Sequence, residues 1–201
     1  LPLADELLHR VNDINTLFSS HAKASGTLKI GASDTIGNHV LPSILSGFRQ
    51  QQQHYSQQVF ISNSELICQK LRDFELDIAL IEGHAQQSDL ISTVFSQDTM
   101  CIIAPLSHPL AKKPQLSFND LANSQWVLRE AGSGSRSFFL QNLATHIDNW
   151  SQGFELNTTE ALINSVAEGL GLGCLSSLAA QYALNDGRVT QLNLNHPMQR
   201  Q

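Results

Sequence analysis

Five times along the chain a short apolar run ends in small polar residues and passes directly into a stretch with helical spacing. The first covers residues 27–42, TLKIGASDTIGNHVLP. Leu28, Ile30 and Ala32 alternate with Thr27, Lys29 and Gly31 at strand period, and Ser33-Asp34-Thr35 places side-chain oxygens where a helix would begin. The same succession follows at residues 59–62 with Asn63-Ser64-Glu65, at 126–128 with Gly132-Ser133-Gly134-Ser135, at 154–156 with Asn157-Thr158-Thr159, and at 171–175 with Ser176-Ser177. Residues 76–81, LDIALI, form a continuous apolar run of the kind found in strands buried on both faces. The resulting β-α-β-α-β order requires right-handed crossovers and a largely parallel sheet covered by helices, so the expected class is α/β.

Such junctions are ready sites for ligands. In open α/β sheets ligands bind outside the carboxyl ends of the strands, near the point where strand order reverses. Backbone N–H groups at a helix start are unpaired and carry partial positive charge. A hydroxyl or amide beside them caps the helix or helps to hold an anion. One junction alone is accounted for by capping. Five of them, with Ser33, Thr35, Ser64, Ser133, Ser135, Thr158, Thr159 and Ser176 at equivalent places, point to a cleft that takes a small, polar, anionic molecule.

Around this frame residues 94–95 and 100–104 read as two further strands, and Pro105, Pro109 and Pro114 punctuate a loop after which a second unit starts. Residues 36–50 read as a helix that Pro42 must either start or kink. Residues 50–53, all glutamine, read as its solvated end, and Ser117 with Asp120 as a helix cap. Residues 189–194 alternate as a last strand. At the other end, Ala4, Leu7, Val11, Ile14 and Phe18 make a heptad stripe opposite Glu6, Arg10 and Asp13. That helix either packs on its own domain or pairs with a second copy, and residues 19–26 read as a linker.

Bulk properties narrow the function. A chain of 201 residues with 41% hydrophobic content buries roughly 70% of its unfolded surface. A net charge of −6 with only 12 scattered basic residues argues against this chain gripping a nucleic-acid backbone. Cys68, Cys101 and Cys174 are odd in number and far apart, which fits a reducing cytoplasm rather than a disulfide framework or zinc ribbon. No apolar run approaches the roughly 18 residues of a membrane span, and Asp5 and Glu6 do not suit a secretory signal.

Catalytic readings are thin. Gly169-x-Gly171-x-Gly173 lies after a helix and before a strand, the reverse of a pyrophosphate cradle, and reads as a helix stop with close-packed strand entry. There is no Walker A sequence and no Gly-x-Ser-x-Gly elbow. The eight histidines show no ligand spacing, so no metal site is expected. Glu82 and Glu160 are the one acid/base pair to consider, with polar lining or a helix-start charge as the plainer account. No catalytic residue and no cofactor are assigned.

Taken together, GTLKIGASDTIGNHVLPSILSGFRQQ, LDIALIEG, APLSHPLA, REAGSGSR and TTEALINSVAEGLGLGCLSS resemble the effector-binding domain of LysR-type transcriptional regulators, over residues 26–194. The resemblance implies two Rossmann-like lobes joined by crossover strands, like type II periplasmic binding proteins, preceded by a linker helix. Residues 1–25 would be the linker and dimerisation helix, 26–104 the first lobe, 105–178 the second, and 179–201 a return segment toward the first. It implies effector contacts at Ser33, Asp34 and Thr35, at Asn63 and Ser64, at Ser133, Gly134, Ser135 and Arg136, and at Thr158 and Thr159, to which the junction reading adds Ser176 and cleft lining adds Glu82.

The same resemblance assigns DNA binding to an N-terminal winged helix-turn-helix that these residues do not include, and homodimers or homotetramers to the whole protein. The family pattern continues with one more strand and helix, so a chain ending at HPMQRQ would leave the first lobe short of them. The Glu-x-Gly-Ser-Gly-Ser-Arg junction is similar to the branch regulating sulfur assimilation and carbon fixation, where small anions are the plausible effectors. An exported solute-binding protein of a transporter shares the fold and is the alternative, and an enzyme built on the same cleft is a third reading. Asp34 is the awkward residue: a carboxylate beside an anion site opposes binding unless it turns away, caps the helix or selects a protonated ligand.

Overall fold

The computed structural model of the chain describes residues 26–52, 56–83 and 89–200; the helix expected over residues 3–20 and the last glutamine of the 50–53 run lie outside them. Strand β1 (Leu28–Ser33) runs without a loop into α1 (Asp34–His39), which breaks at Val40 before α2 (Leu41–Gln52). The break follows from Pro42. Proline has no N–H to donate into the preceding turn, so it is tolerated only in the first turn of a new helix. Strand β2 (Gln57–Ser62), α3 (Ser64–Arg72) and β3 (Ile78–Leu80) complete a parallel sheet in the order β2-β1-β3. Residues 76–81 do not form the fully buried strand expected of them. Only Ile78–Leu80 pair, on the edge of the sheet against β1, and Ile78 stays half exposed.

The second sheet holds β4 (Asp98–Ala104), β5 (Gln125–Arg129), β6 (Ser151–Leu156), β7 (Leu172–Ser176), β8 (Thr190–Leu192) and β9 (Gln199–Arg200). Its order is β6-β5-β7-β4-β8, with β9 also on β4. Strands β5, β6 and β7 are parallel, whereas β4 is antiparallel to β7, β8 and β9. Residues 100–104, read as the end of the first unit, therefore hydrogen-bond within the second sheet. Residues 94–95, expected as a strand, are irregular and exposed on the way to it. Asp120 caps the 3-10 turn Phe118–Leu121 as anticipated, accepting from the Ser117 N–H and hydroxyl. Hydrogen bonding to Lys113 first and to Ser117 second holds its carboxyl down at about 2.

Period-two alternation with both faces covered explains the apolar strands of this sheet. Met100, Ile102 and Ala104 of β4 join Trp126 and Leu128 of β5 and Leu172 and Cys174 of β7 on one face, under α4 (Gly134–Asn142) with its Phe138 and Phe139. Cys101 and Ile103, Val127 and Leu175 occupy the other, under α5 (Thr159–Ala167) and α6 (Ser177–Asn185). The first sheet has a smaller cluster of Ile30, Ala32, Ile36 and Leu41. Among the described residues no helix is long and apolar enough to cross a membrane.

The glycines before β7 serve the roles read from their order. Gly169 ends α5 with φ +82°, and Gly171 at φ +146° passes so close to Gln125 that a Cβ would lie 2.7 Å from its carbonyl oxygen. Gly173 lets α5 settle on β7: a Cβ there would meet Leu162, Val166 and Ile103 side chains at 2.8, 3.0 and 3.1 Å. Gly173→Ala should therefore destabilise the fold by about 1–3 kcal/mol through overpacking, measured as a shift in the denaturation midpoint at unchanged slope.

All three thiols are buried and free. Burial pushes the Cys68 and Cys174 thiols up, and burial with the nearby Asp98 charge pushes Cys101 up to about 12. Only thiolates attack disulfides, so the folded protein at pH 8 should leave a chromogenic disulfide reagent unreacted while the denatured chain reacts at all three. Fast reaction of one thiol in the folded state would contradict this placement.

Candidate functional site

In each unit one strand is flanked by the next two strands in the chain: β1 lies between β2 and β3, and β5 between β6 and β7. The chain leaves each central strand to one side and returns on the other, so the ends of β1 and β5 are the two points of strand-order reversal. Those ends face each other. Asp34, the residue after β1, accepts at Oδ2 from Arg129 Nη1 at 3.0 Å, from the Thr159 N–H at 3.2 Å and from the Thr159 hydroxyl. Arg129 ends β5 and is 4% exposed; its Nη1 also donates to Thr159 Oγ1 at 2.8 Å, and its Nε and Nη2 donate to Glu130 at 2.8 and 3.1 Å.

A second bridge forms where the chain crosses between the sheets. Arg200 of β9 donates from Nη2 to Glu82, just after β3, at 3.2 Å and to Asp98 at the start of β4 at 2.5 Å. Its Nη1 donates to Ser135 Oγ at 3.4 Å, while its buried Nε has no partner. Ser176, fully buried, donates to Asp98 at 2.8 Å and accepts from the Leu178 N–H, which makes it both a helix cap and part of this cluster.

The polar junctions close the space between. The Glu65 N–H donates to the Gly132 carbonyl at 3.2 Å, and Gly132, at φ +85°, leaves no room for a Cβ, which would lie 2.7 Å from Glu65 Oε2 and 3.1 Å from Asn63 Oδ1. Gly134 abuts Glu82 in the same way, a Cβ falling 3.1 Å from its backbone oxygen. Ser33, at the end of β1, is 1% exposed, and neither its hydroxyl nor that of Ser64, the first residue of α3, has a hydrogen-bond partner. An unpaired buried hydroxyl costs about 1–3 kcal/mol, so a pair of them at converging strand ends is a signature of a binding site.

The structure thus brings Ser33, Asp34, Asn63, Ser64, Glu82, Gly134, Ser135, Thr159 and Ser176 to the facing ends of the two units, with Thr35 and Ser133 buried in the same junctions. Asn63 accepts from the Leu66 N–H, and exposed Thr158 accepts from the Ala161 N–H, so both side chains cap their helices. Arg136 turns away: its guanidinium donates to the Arg129 carbonyl, to Glu155 at 2.7 Å and to Gln152 at 3.1 Å, on β5 and β6. Glu82 and Glu160 are not brought together; Glu160 pairs with Arg188 on the surface. Sequence reasoning missed Arg129, Glu130, Asp98 and Arg200. A charge closing the apolar run WVLR was the available sign for Arg129, whereas two-residue β9 offers no periodicity that marks Arg200.

The sequence profile of the LysR substrate binding domain matches residues 21–201. The chain belongs to that family. The LysR-type relatives include the HTH-type transcriptional regulator CysL of Bacillus subtilis (strain 168), 33% identical over 180 residues, which are 90% of this chain and 60% of CysL. YeiE of Escherichia coli (strain K12), an uncharacterized HTH-type transcriptional regulator, is 32% identical over 98% of this chain and 66% of its own length. The chain thus spans about two thirds or less of these curated LysR-type relatives. The regulatory domain of CcmR from Synechocystis PCC6803, solved in complex with 2-PG, superposes with a TM-score of 0.76 at 24% identity, covering 88% of this chain and 85% of that one. The two facing sheets are accordingly the α/β, periplasmic-binding-protein-like fold of LysR effector-binding domains.

Within this LysR domain the two buried arginines are each held by two carboxylates. Removing either leaves buried charge unpaired. Arg129→Ala and Arg200→Ala should each lower stability by about 3–5 kcal/mol, whereas Arg136→Ala, whose partner Glu155 is half exposed, should cost roughly 1 kcal/mol in the same chemical denaturation assay.

Proposed function

We propose that the chain is the sensing domain of a LysR-type transcription regulator and binds a small oxyanion as effector between its two lobes. The observation that carries this reading is the pair of buried, partnerless hydroxyls on Ser33 and Ser64 at two strand-to-helix junctions of the first unit, with Asp34, next to Ser33, meeting the guanidinium of Arg129 and the helix-start N–H of Thr159. Neutral donors with one buried cation suit a carboxylate or a tetrahedral oxyanion, because each oxygen finds an N–H or O–H without a full counter-charge for every ligand charge. CcmR in complex with 2-PG supports a small molecule as the effector class. The names of CysL and YeiE support regulation of transcription over transport or catalysis.

In this reading DNA contacts belong to the remainder of a longer cytoplasmic protein that works as a homodimer or homotetramer. Effector binding alters how the lobes close and thereby the arrangement of subunits, with a coupling of about 1–3 kcal/mol drawn from differential affinity for the two arrangements.

Titration of the purified chain with sulfate, phosphate and acetate, followed by calorimetry, tests the proposal. The double variant Ser33→Ala/Ser64→Ala separates binding from folding. Deleting two hydroxyls that bond nothing in the protein should leave the melting temperature within about 2 °C of the parent. Affinity for the probe that binds best should fall at least about tenfold, which is 1.4 kcal/mol. A large loss of melting temperature with unchanged affinity would make both hydroxyls structural.

A further inference from the structure

The Asp34 contact, one of those that tie the lobes together, contains one negatively charged acceptor from the first lobe and three donors from the second. Arg129, the Thr159 N–H and the Thr159 hydroxyl converge on a single oxygen, Asp34 Oδ2. Arg129 and Thr159 are 4% and 8% exposed, and both lie at element ends fixed by the second sheet: β5 ends at Arg129, and the nine-residue α5 starts at Thr159. This is the donor arrangement a free oxyanion requires, and a covalently attached one already sits in it. The partnerless Ser33 hydroxyl, 1% exposed, belongs to the residue immediately before.

Resting on the cleft reading given above, we infer that Asp34 is a built-in competitor: its carboxylate occupies the oxyanion position of the second lobe, and an effector carboxylate, phosphate or sulfur oxyanion binds by taking its place. Charge supports displacement over addition. Asp34 and Glu130 both pair with the single guanidinium of Arg129, so a further anion added to the intact site would meet one uncompensated negative charge there. Exchange of one carboxylate for another leaves the donors equally satisfied. Asp34 also has somewhere to go. Its side chain is 19% exposed, and its other oxygen, Oδ1, already accepts from Asn38 Nδ2 at 3.1 Å one turn along α1. Released from the second lobe, the carboxylate stays on its own helix and reaches water.

Displacement also assigns a specificity role to Asp34. Only ligands that outcompete an intramolecular carboxylate bind, so weak monodentate anions are rejected, and the exchange undoes one of the ties between the lobes while the Arg200–Glu82 bridge remains.

The test compares the parent chain with Asp34→Asn, which keeps the shape of the occupant but removes its charge, using sulfate, phosphate and acetate as probes. The expected result is at least about tenfold tighter binding of the best probe to Asp34→Asn, because the competitor is weakened. Equal or weaker binding to Asp34→Asn overturns the inference, and so does failure of every probe to bind that variant at millimolar concentration. An equal gain in Asp98→Asn also overturns it, since that substitution removes the same charge without touching the Arg129 site. A measurement on the parent chain decides the matter even if Asp34→Asn does not fold: the carbon-13 signal of the Asp34 carboxyl should move as sulfate saturates the protein, and an unmoved signal refutes displacement. Failure of the underlying cleft reading looks different, because Ser33→Ala/Ser64→Ala would then leave probe affinity unchanged whatever Asp34→Asn does.

Discussion

Burying a guanidinium is tolerable only when its N–H groups find acceptors and its charge finds a counter-charge, and Arg129 satisfies both conditions by borrowing from the opposite lobe. Its own lobe supplies Glu130 and Thr159; Asp34, ninety-five residues earlier in the chain, supplies the rest. This contact, together with the Arg200 bridge, links the lobes where the strand ends of both sheets meet. Strand order reverses at β1 and at β5, and buried polar groups at those strand ends must pair with one another, with water or with a ligand. Arg200 repeats the arrangement at the crossover, where a charge from β9 joins carboxylates from the ends of β3 and β4.

Strand and helix order was legible in the sequence because the second sheet buries both faces. Alternate residues of β4, β5 and β7 go to opposite cores, leaving continuous apolar runs, and across both units α3, α5 and α6 start after Asn, Thr and Ser caps. The family resemblance rested on those junctions and agrees with the fold. Pairing partners were less legible. Nothing local in MCIIA indicates that it lies antiparallel between β7 and β8, since that follows from pairings made about seventy to ninety residues later. The site shows the same division. Ser33, Ser64 and Thr159 announce themselves as helix-start hydroxyls, but Arg136 shows how a good motif misleads by one position. A helix turns about 100° per residue, so Ser135 faces the site while Arg136 next to it reaches β6.

The resulting electrostatics resolve the difficulty that Asp34 posed as a bare sequence feature. A carboxylate at an anion site is repulsive if it is idle and instructive if it is bound. Here it neutralises the one cation that an oxyanion would seek, while the adjacent Ser33 hydroxyl remains without a partner. Polarity in the site is therefore distributed unevenly: charges are over-paired, with four carboxylates on two arginines, and hydroxyls are under-paired.

The place of β4 in the second sheet also bears on how the chain comes to be folded. Five of its seven residues are fully apolar and buried in the finished protein, yet its neighbours β7 and β8 are made only after residues 172 and 190. A ribosome adding about 5–20 residues per second leaves that strand without a partner for several seconds, with unpaired edges and both apolar faces open. The first unit, whose strands pair within about fifty residues of one another, can close during that interval. Synthesis therefore passes through a stage in which one lobe is formed and the most apolar strand of the other is exposed, a stage that favours holding by chaperones and penalises any change that lengthens residues 105–171.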